Sequence, residues 1–202
     1  GLLVASMLGI RHRLESISHD LKGSNQPFLK SRKEIPSLEE RGQDASEIVM
    51  VGISLLVLYT NRAFFESKLQ QGCRLRFLLL DPTSQALETY VLLSGQKGTL
   101  RDIANTFDAL ERLKEKELSS PGTVDARLTS VFLPYGIAAF NPGKVNGYMS
   151  VEPLVYRGGL EQRPHFVLRK ANSDHWFTFF EGQYEQLWFD SAQWQPGMEL
   201  NI

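Results

Sequence analysis

Cysteine, excess charge of either sign and long apolar runs are scarce in this sequence. Cys73 is the only cysteine among 202 residues, which excludes an internal disulfide and a thiolate metal cage and fits a reducing compartment. The 22 Lys and Arg nearly balance the 23 Asp and Glu, for a net charge of −1. This balance gives no general reason to expect a nucleic acid partner. We therefore expect no metal site and no nucleic acid partner.

Several cofactor and catalytic motifs are also missing. The sequence contains no G-x-x-x-x-G-K-[ST] phosphate loop and no G-x-G-x-x-G after its first predicted strand. It contains neither an H-E-x-x-H metal motif nor a G-x-S-x-G nucleophile elbow. We expect no cofactor.

The N-terminal segment allows two interpretations. Its apolar run, residues 2–10, is shorter than the roughly 20 residues that cross a bilayer, and Arg11 and Arg13 follow it instead of preceding it as in a signal peptide. The interpretation that we favour is an amphipathic helix over residues 1–21, then a polar linker to residue 36. The other is that a membrane helix precedes Gly1. Both are compatible with a cytoplasmic domain over residues 37–202, which in the second case is membrane-anchored.

The centre of the predicted fold is a strand–helix–strand unit. Residues 48–53 are apolar throughout and residues 75–80 are apolar apart from Arg76, as buried parallel strands are. Between them an amphipathic helix ends at Gly72, and upstream Ser37 and Glu40 have the spacing of a capping box. We expect two adjacent parallel strands at the centre of a sheet.

The rest of the chain predicts helices first and then strands. Helices are expected over residues 83–93 and from Thr99 to Pro121, strands over 124–133, 136–140, 148–155 and 165–169, and a final aromatic-rich helix over 176–188. The fold class is α/β, with a mixed, centrally parallel sheet flanked by helices.

Two stretches and the final helix carry a resemblance to a known family. The stretches are Glu47-Ile48-Val49-Met50-Val51-Gly52-Ile53-Ser54-Leu55 and Gly72-Cys73-Arg74-Leu75-Arg76-Phe77-Leu78-Leu79-Leu80-Asp81-Pro82. Together with the aromatic segment 177–188, they resemble a phospholipase D-like domain over about residues 45–195. The resemblance implies that family's α/β fold.

The same resemblance implies that the family's catalytic motif has been lost. Phospholipase D enzymes use His-x-Lys-x4-Asp, in which the His attacks phosphorus and the Lys holds the phosphoryl oxygens. The corresponding positions here are Pro134, Gly136 and Asn141, and no histidine lies between His19 and His165. The resemblance therefore implies a catalytically silent, bacterial pseudo-enzyme.

Other residues remain candidates for binding. Arg127, Lys144, Ser150, Glu152 and Arg169 could hold an anionic small ligand near the degenerate motif. His165 has two interpretations. It simply begins a strand, which we favour, or it serves as a substitute nucleophile.

These observations lead to two hypotheses about function. The first is a silent phospholipase D-like module that acts as a sensor, scaffold or dimerisation domain. The alternative is a phosphodiesterase or nuclease that uses His165. In either case we expect a homo-oligomer, and contact with a membrane only through a segment that precedes Gly1.

Overall fold

The structure is a computed structural model that describes residues 29–198, and the fold below is that of the unit beginning at Ser31. The helix expected over residues 1–21 lies outside the described residues and stays a prediction. In the part described, no helix is long and apolar enough to cross a membrane.

The strands of residues 29–198 form one mixed sheet with the spatial order β6-β5-β4-β1-β2-β3-β7. They are β1 (Glu47–Gly52), β2 (Arg74–Leu80), β3 (Thr123–Thr129), β4 (Tyr135–Phe140), β5 (Tyr148–Pro153), β6 (Phe166–Arg169) and β7 (Ala192–Gln193). β1, β2 and β3 run parallel, whereas β4, β5, β6 and β7 each pair antiparallel with a neighbour.

The two apolar runs are adjacent parallel strands at the centre of this sheet, as predicted. Ile48 lies opposite Leu75 and Gly52 opposite Leu79. β1 and β2 are almost entirely buried, which explains why residues 48–52 and 77–80 are apolar without alternation. The prediction of an α/β fold with a mixed, partly parallel sheet is confirmed.

Helices cover both faces of the sheet. They are α1 (Leu38–Gly42), α2 (Val57–Thr60), α3 (Arg62–Gln70), α4 (Gln85–Ser94), α5 (Thr99–Glu117) and α6 (Asp174–Asp190). Phe77 of β2 packs edge-on against Phe65 of α3, whereas its neighbour Arg76 points to the opposite face, where it contacts α6. α6 therefore lies on one side of the sheet and α3 on the other.

The predicted capping box at α1 is present. Ser37 Oγ accepts a hydrogen bond from the Glu40 backbone N–H at 3.1 Å, and the Glu40 carboxylate accepts one from the Ser37 N–H at 3.3 Å. Two N–H groups at the start of this five-residue helix are therefore satisfied by the side chains of these two residues.

The helix predicted between β1 and β2 is interrupted. Its two parts, α2 and α3, are separated by Asn61, whose side-chain amide donates to the Val57 carbonyl at 3.1 Å. Such local bonds from an asparagine compete with the helical ladder. Gly72 ends the second part with φ of +84°, in the left-handed conformation that favours glycine.

Candidate functional site

A cavity of about 220 Å³ opens on the side of the sheet opposite α6, towards the C-terminal end of β1. Strand register explains its position, because Met50 of β1, Ala138 of β4 and Ser150 of β5 stand side by side on one face. Gly136 and Glu152 form the next row of the same face. Glycine and alanine on β4 leave space that larger side chains would fill.

The polar lining of the cavity comes from elements that are far apart in sequence. Its charged and polar side chains are Arg32, Arg41, Ser54, Tyr90, Gln96, Asp102, Ser150, Glu152, Arg163 and His165. Apolar residues of β1, β4 and the segment that leads into α2 complete the wall. The result is a small amphipathic cavity.

Glu152 is held by two arginines. Arg32 forms a short ion pair with Glu152 Oε2, and Arg163 Nη1 lies 3.4 Å from Oε1. The Arg163 side chain is about 9% exposed, and its Nη2 also donates to the Tyr90 hydroxyl at 2.9 Å. The phenol in turn donates to Gln96 Oε1. Two guanidinium groups therefore share one carboxylate.

Arg41 has a different environment. It lies in the last turn of α1. Its Nη1 donates to Ser150 Oγ at 3.3 Å, and the guanidinium lies 5.1 Å from the centre of the Phe140 ring. Among residues 29–198 no carboxylate forms an ion pair with it. Burial lowers the pKa of Arg41 from its ordinary value, because a partly desolvated cation is less stable than one in water.

The charges around the cavity leave a positive excess. Three guanidinium groups face two carboxylates, Asp102 and Glu152, so the lining carries one net positive charge. In a partly enclosed site such an excess attracts anions more strongly than it would on an open surface.

His165 lies on the wall of the same cavity. Its side chain is fully buried, and it directly precedes β6 beside Glu152 of β5. The prediction that it begins a strand fits this position. Its place on the cavity wall is also what the alternative hypothesis requires.

Of the three positions that the resemblance aligns with the catalytic motif, the structure brings one to the cavity. Gly136 lines the cavity, whereas Pro134 is exposed and is not part of the lining. Asn141 lies beyond the far end of β4, where its Oδ1 accepts from the Ser46 N–H at 2.8 Å and its Nδ2 donates to the Asp44 carbonyl at 3.1 Å. Asn141 therefore orders the segment before β1.

The predicted ligand-binding residues fall into two groups. Ser150 and Glu152 line the cavity. Arg127 lies on the α6 side, where it donates to the carbonyls of Trp188 and Ser191. Lys144 is exposed in the turn between β4 and β5, and Arg169 stacks over the Tyr148 ring at 5.3 Å. The structure does not bring these three cations to the cavity.

The sequence interpretation missed the three arginines that do line the cavity. Arg163 could have been found, because it lies two residues before His165 and so shares its face on an extended segment. Arg32 and Arg41 gave no comparable signal, since they belong to a region interpreted as linker and short helix.

No metal centre is apparent in the described part of the chain, where no three His, Cys, Asp or Glu side chains are grouped so that they could hold an ion. Comparison of the chain with models of known protein families and with curated proteins gives no match.

Proposed function

We propose that this chain is a phospholipase D-like module without the family's catalysis, which binds a small organic anion in the cavity beside Arg41 and acts as a sensor or scaffold. The observation that carries the proposal is the environment of Arg41. Its guanidinium is partly desolvated, it faces a cavity, and within residues 29–198 no carboxylate forms an ion pair with it, while Glu39 acts on it only through its charge. An anion that binds there would supply the missing partner.

Three features support the phospholipase D-like part of the proposal. The parallel pair β1–β2 encloses an intervening helical segment, and the Gly52-Ile53-Ser54-Leu55 stretch ends β1 at the cavity. β4, which carries the degenerate motif, lies directly beside β1. The position that would hold the catalytic lysine is Gly136, on the cavity wall.

The dimensions of the cavity limit its ligand. A volume of about 220 Å³ is below the roughly 300–1,000 Å³ of sites for drug-sized ligands. The apolar half of the wall favours an anion with a small apolar body. A phosphate monoester of a short alcohol or a phenol has these properties.

Isothermal titration calorimetry with phenyl phosphate tests the proposal. The full chain should bind it, and Arg41→Gln should weaken binding by about tenfold to a hundredfold, since a charge-assisted hydrogen bond contributes roughly 1.5–3 kcal/mol. Arg112→Gln is the matched control, because it removes an exposed arginine of α5 that lines a different surface groove. Absence of binding, or equal weakening by both variants, would contradict the proposal.

A phosphodiesterase that uses His165 is the second candidate, favoured by the place of that imidazole on the cavity wall. In such a reaction an imidazole nitrogen bonds to phosphorus while the bond from phosphorus to the leaving oxygen breaks, and the departing alkoxide takes up a proton. Single-turnover assays for a phosphohistidine adduct distinguish the two candidates. An adduct that disappears in His165→Ala and persists in His175→Ala would establish the second one.

A further inference from the structure

Helix α6 has an exposed side that is rich in aromatic residues. Its inner side packs on the sheet, but Trp176, Phe179 and Phe189 on its outer side are 56%, 47% and 79% exposed. Taking about 200 Å² for a whole aromatic side chain, they present roughly 350 Å² of largely apolar surface. Trp176 and Phe179 are in edge contact at one end of the helix, and Phe189 adds apolar surface near the other end.

Gly182 lies in the middle of this exposed side. Glycine inside a helix destabilises it by about 0.5–1 kcal/mol relative to alanine. Its backbone φ does not require glycine, and an added Cβ would meet no described atom within 4 Å. Packing within the described chain therefore gives no reason for a glycine, whereas close approach of an external backbone would.

Besides Thr178 and Glu185, the described side chains of α6 include eight exposed positions, which are arranged symmetrically about the midpoint between Gly182 and Gln183. They follow a seven-residue spacing along one stripe, as in helices that pair along their length. Reversal of the helix superimposes the stripe on itself, so that in an antiparallel pair His175 meets Asp190, Trp176 meets Phe189, Phe179 meets Gln186 and Gly182 meets Gln183.

Each of these pairings is chemically compatible. Two aromatic rings meet at Trp176 and Phe189, and an imidazole N–H can donate to the Asp190 carboxylate. Gln186 already donates to Asp190 at 3.0 Å, which fixes that carboxylate beside the stripe. The glycine lies at the crossing point, where two helix backbones approach most closely.

Charge favours a second copy of the chain over a lipid surface as the partner of this exposed side of α6. α6 contains no Lys or Arg; Glu181 and Glu185 pair with Lys170 and Arg76, and Asp190 lies beside the stripe. Helices that lie on membranes usually carry basic residues that attract anionic lipids, and α6 supplies none. A fitting partner presents aromatic side chains to the aromatic residues and an imidazole to Asp190. A second copy of this chain has both, because its own α6 carries the same stripe and His175.

We propose that two copies of the chain dimerise through antiparallel packing of their α6 helices about a two-fold axis at Gly182 and Gln183. This proposal does not depend on a ligand in the cavity, which lies on the opposite side of the sheet. With the flanking polar residues, each copy would contribute about 500 Å², which places the interface near the lower limit for specific dimers. We expect a dissociation constant on the order of 10 µM.

Sedimentation velocity of the full chain over a range of concentrations tests this dimer. Gly182→Arg places an unpaired cation at the crossing and should raise the dissociation constant at least about a hundredfold. Because the site is open in the described chain and arginine favours helix, the melting temperature should not fall. Thr89→Arg is the matched control, since it adds the same charge to the exposed side of α4.

A cross-linking variant provides an independent test. Gly182→Cys should form an intermolecular disulfide under mild oxidation, and Thr89→Cys should not, while native Cys73 is buried. A chain that stays monomeric at all concentrations, or a dimer that Gly182→Arg leaves unchanged, would overturn the proposal. So would a monomer that cosediments with phosphatidylcholine–phosphatidylglycerol vesicles through this stripe.

Discussion

Arg76 of β2 and Glu185 of α6 form a two-pronged ion pair that joins the centre of the sheet to the final helix. Nη1 lies 2.5 Å from Oε1 and Nη2 2.8 Å from Oε2, and the Trp188 ring covers the guanidinium at 4.3 Å. Burial lowers the pKa of Arg76, but the hydrogen bond and charge of Glu185 outweigh it, so the pKa lies above its ordinary value. The buried part of β2 therefore contains one charge, which only α6 satisfies well.

Removing Glu185 and removing Arg76 should lower the free energy of unfolding by different amounts. The Arg76 side chain is 5% exposed and that of Glu185 46% exposed. Glu185→Ala leaves a buried cation with only Glu47 at 3.7 Å, and we expect it to lower the free energy of unfolding by about 2–3 kcal/mol. Arg76→Met leaves a carboxylate that water can solvate, and should cost less than about 1.5 kcal/mol. Urea denaturation of both variants measures the difference, and the reverse order would contradict this account.

Cys73 should be unreactive in the native protein. Its side chain is 1% exposed, and burial raises the pKa of the thiol from 9.0 to about 11. At pH 8 we expect no reaction with a disulfide reagent such as dithionitrobenzoate until guanidinium unfolds the chain, since the thiolate is the reactive form. A native reaction as fast as that of the unfolded chain would show that the thiol is accessible.

The same shift predicts a loss of stability at alkaline pH. Because the folded thiol holds its proton more tightly than the unfolded one, its contribution is complete below about pH 9 and is lost as pH rises towards 11. Relative to Cys73→Ala, the wild type should lose up to about 2–3 kcal/mol over this interval. The difference in melting temperature between the two proteins should therefore change as pH rises from 9 to 11. A difference that stays constant over this interval would contradict the raised pKa.

Introducing the His-x-Lys-x4-Asp motif at residues 134–141 should not produce an enzyme. In Pro134→His, Gly136→Lys, Asn141→Asp we expect no hydrolysis of bis-p-nitrophenyl phosphate, because Pro134 is exposed outside the cavity lining and Asn141 lies beyond the far end of β4, so only position 136 is on the cavity wall. Turnover by the triple variant, absent from the wild type, would contradict this prediction.

Asn141→Asp alone should lower the free energy of unfolding. The new carboxylate oxygen would face the Asp44 carbonyl, to which Nδ2 now donates at 3.1 Å. Loss of this buried bond should cost about 1–3 kcal/mol. Asn141→Ser also removes the hydrogen bond but introduces no charge. The difference in unfolding free energy between the two variants therefore measures the repulsion between the carboxylate and the Asp44 carbonyl.

The sequence predicted those parts of the fold in which local pattern and burial agree. The apolar strands β1 and β2, the Ser37–Glu40 cap and the stripe of α5 from Ile103 to Leu110 are all as expected. The sequence was less informative about which face of the sheet each strand side chain occupies. Strand spacing does not say that Arg127 faces α6 while Ser150 faces the cavity, because that depends on which helix covers which face.

The cavity was predicted only in part for a related reason. Ser150 and Glu152 lie on the strand near the degenerate motif, where a resemblance could direct attention. The three arginines of the lining are Arg32, Arg41 and Arg163. The first two lie more than a hundred positions before the third, and the segments around Arg32 and Arg163 have no regular hydrophobic period. Proximity created by the tertiary fold leaves no local signal.

The order of the strands also has a consequence for synthesis on the ribosome. β1 is flanked by β2, which follows it closely, and by β4, which is made roughly 90 residues later. At about 5–20 residues per second, one apolar edge of β1 stays unpaired in the nascent chain for roughly 5–20 s. During that interval a hydrogen-bonding edge built of Ile48, Val49 and Val51 is open to other nascent chains, and the speed of translation through residues 53–140 sets how long that exposure lasts.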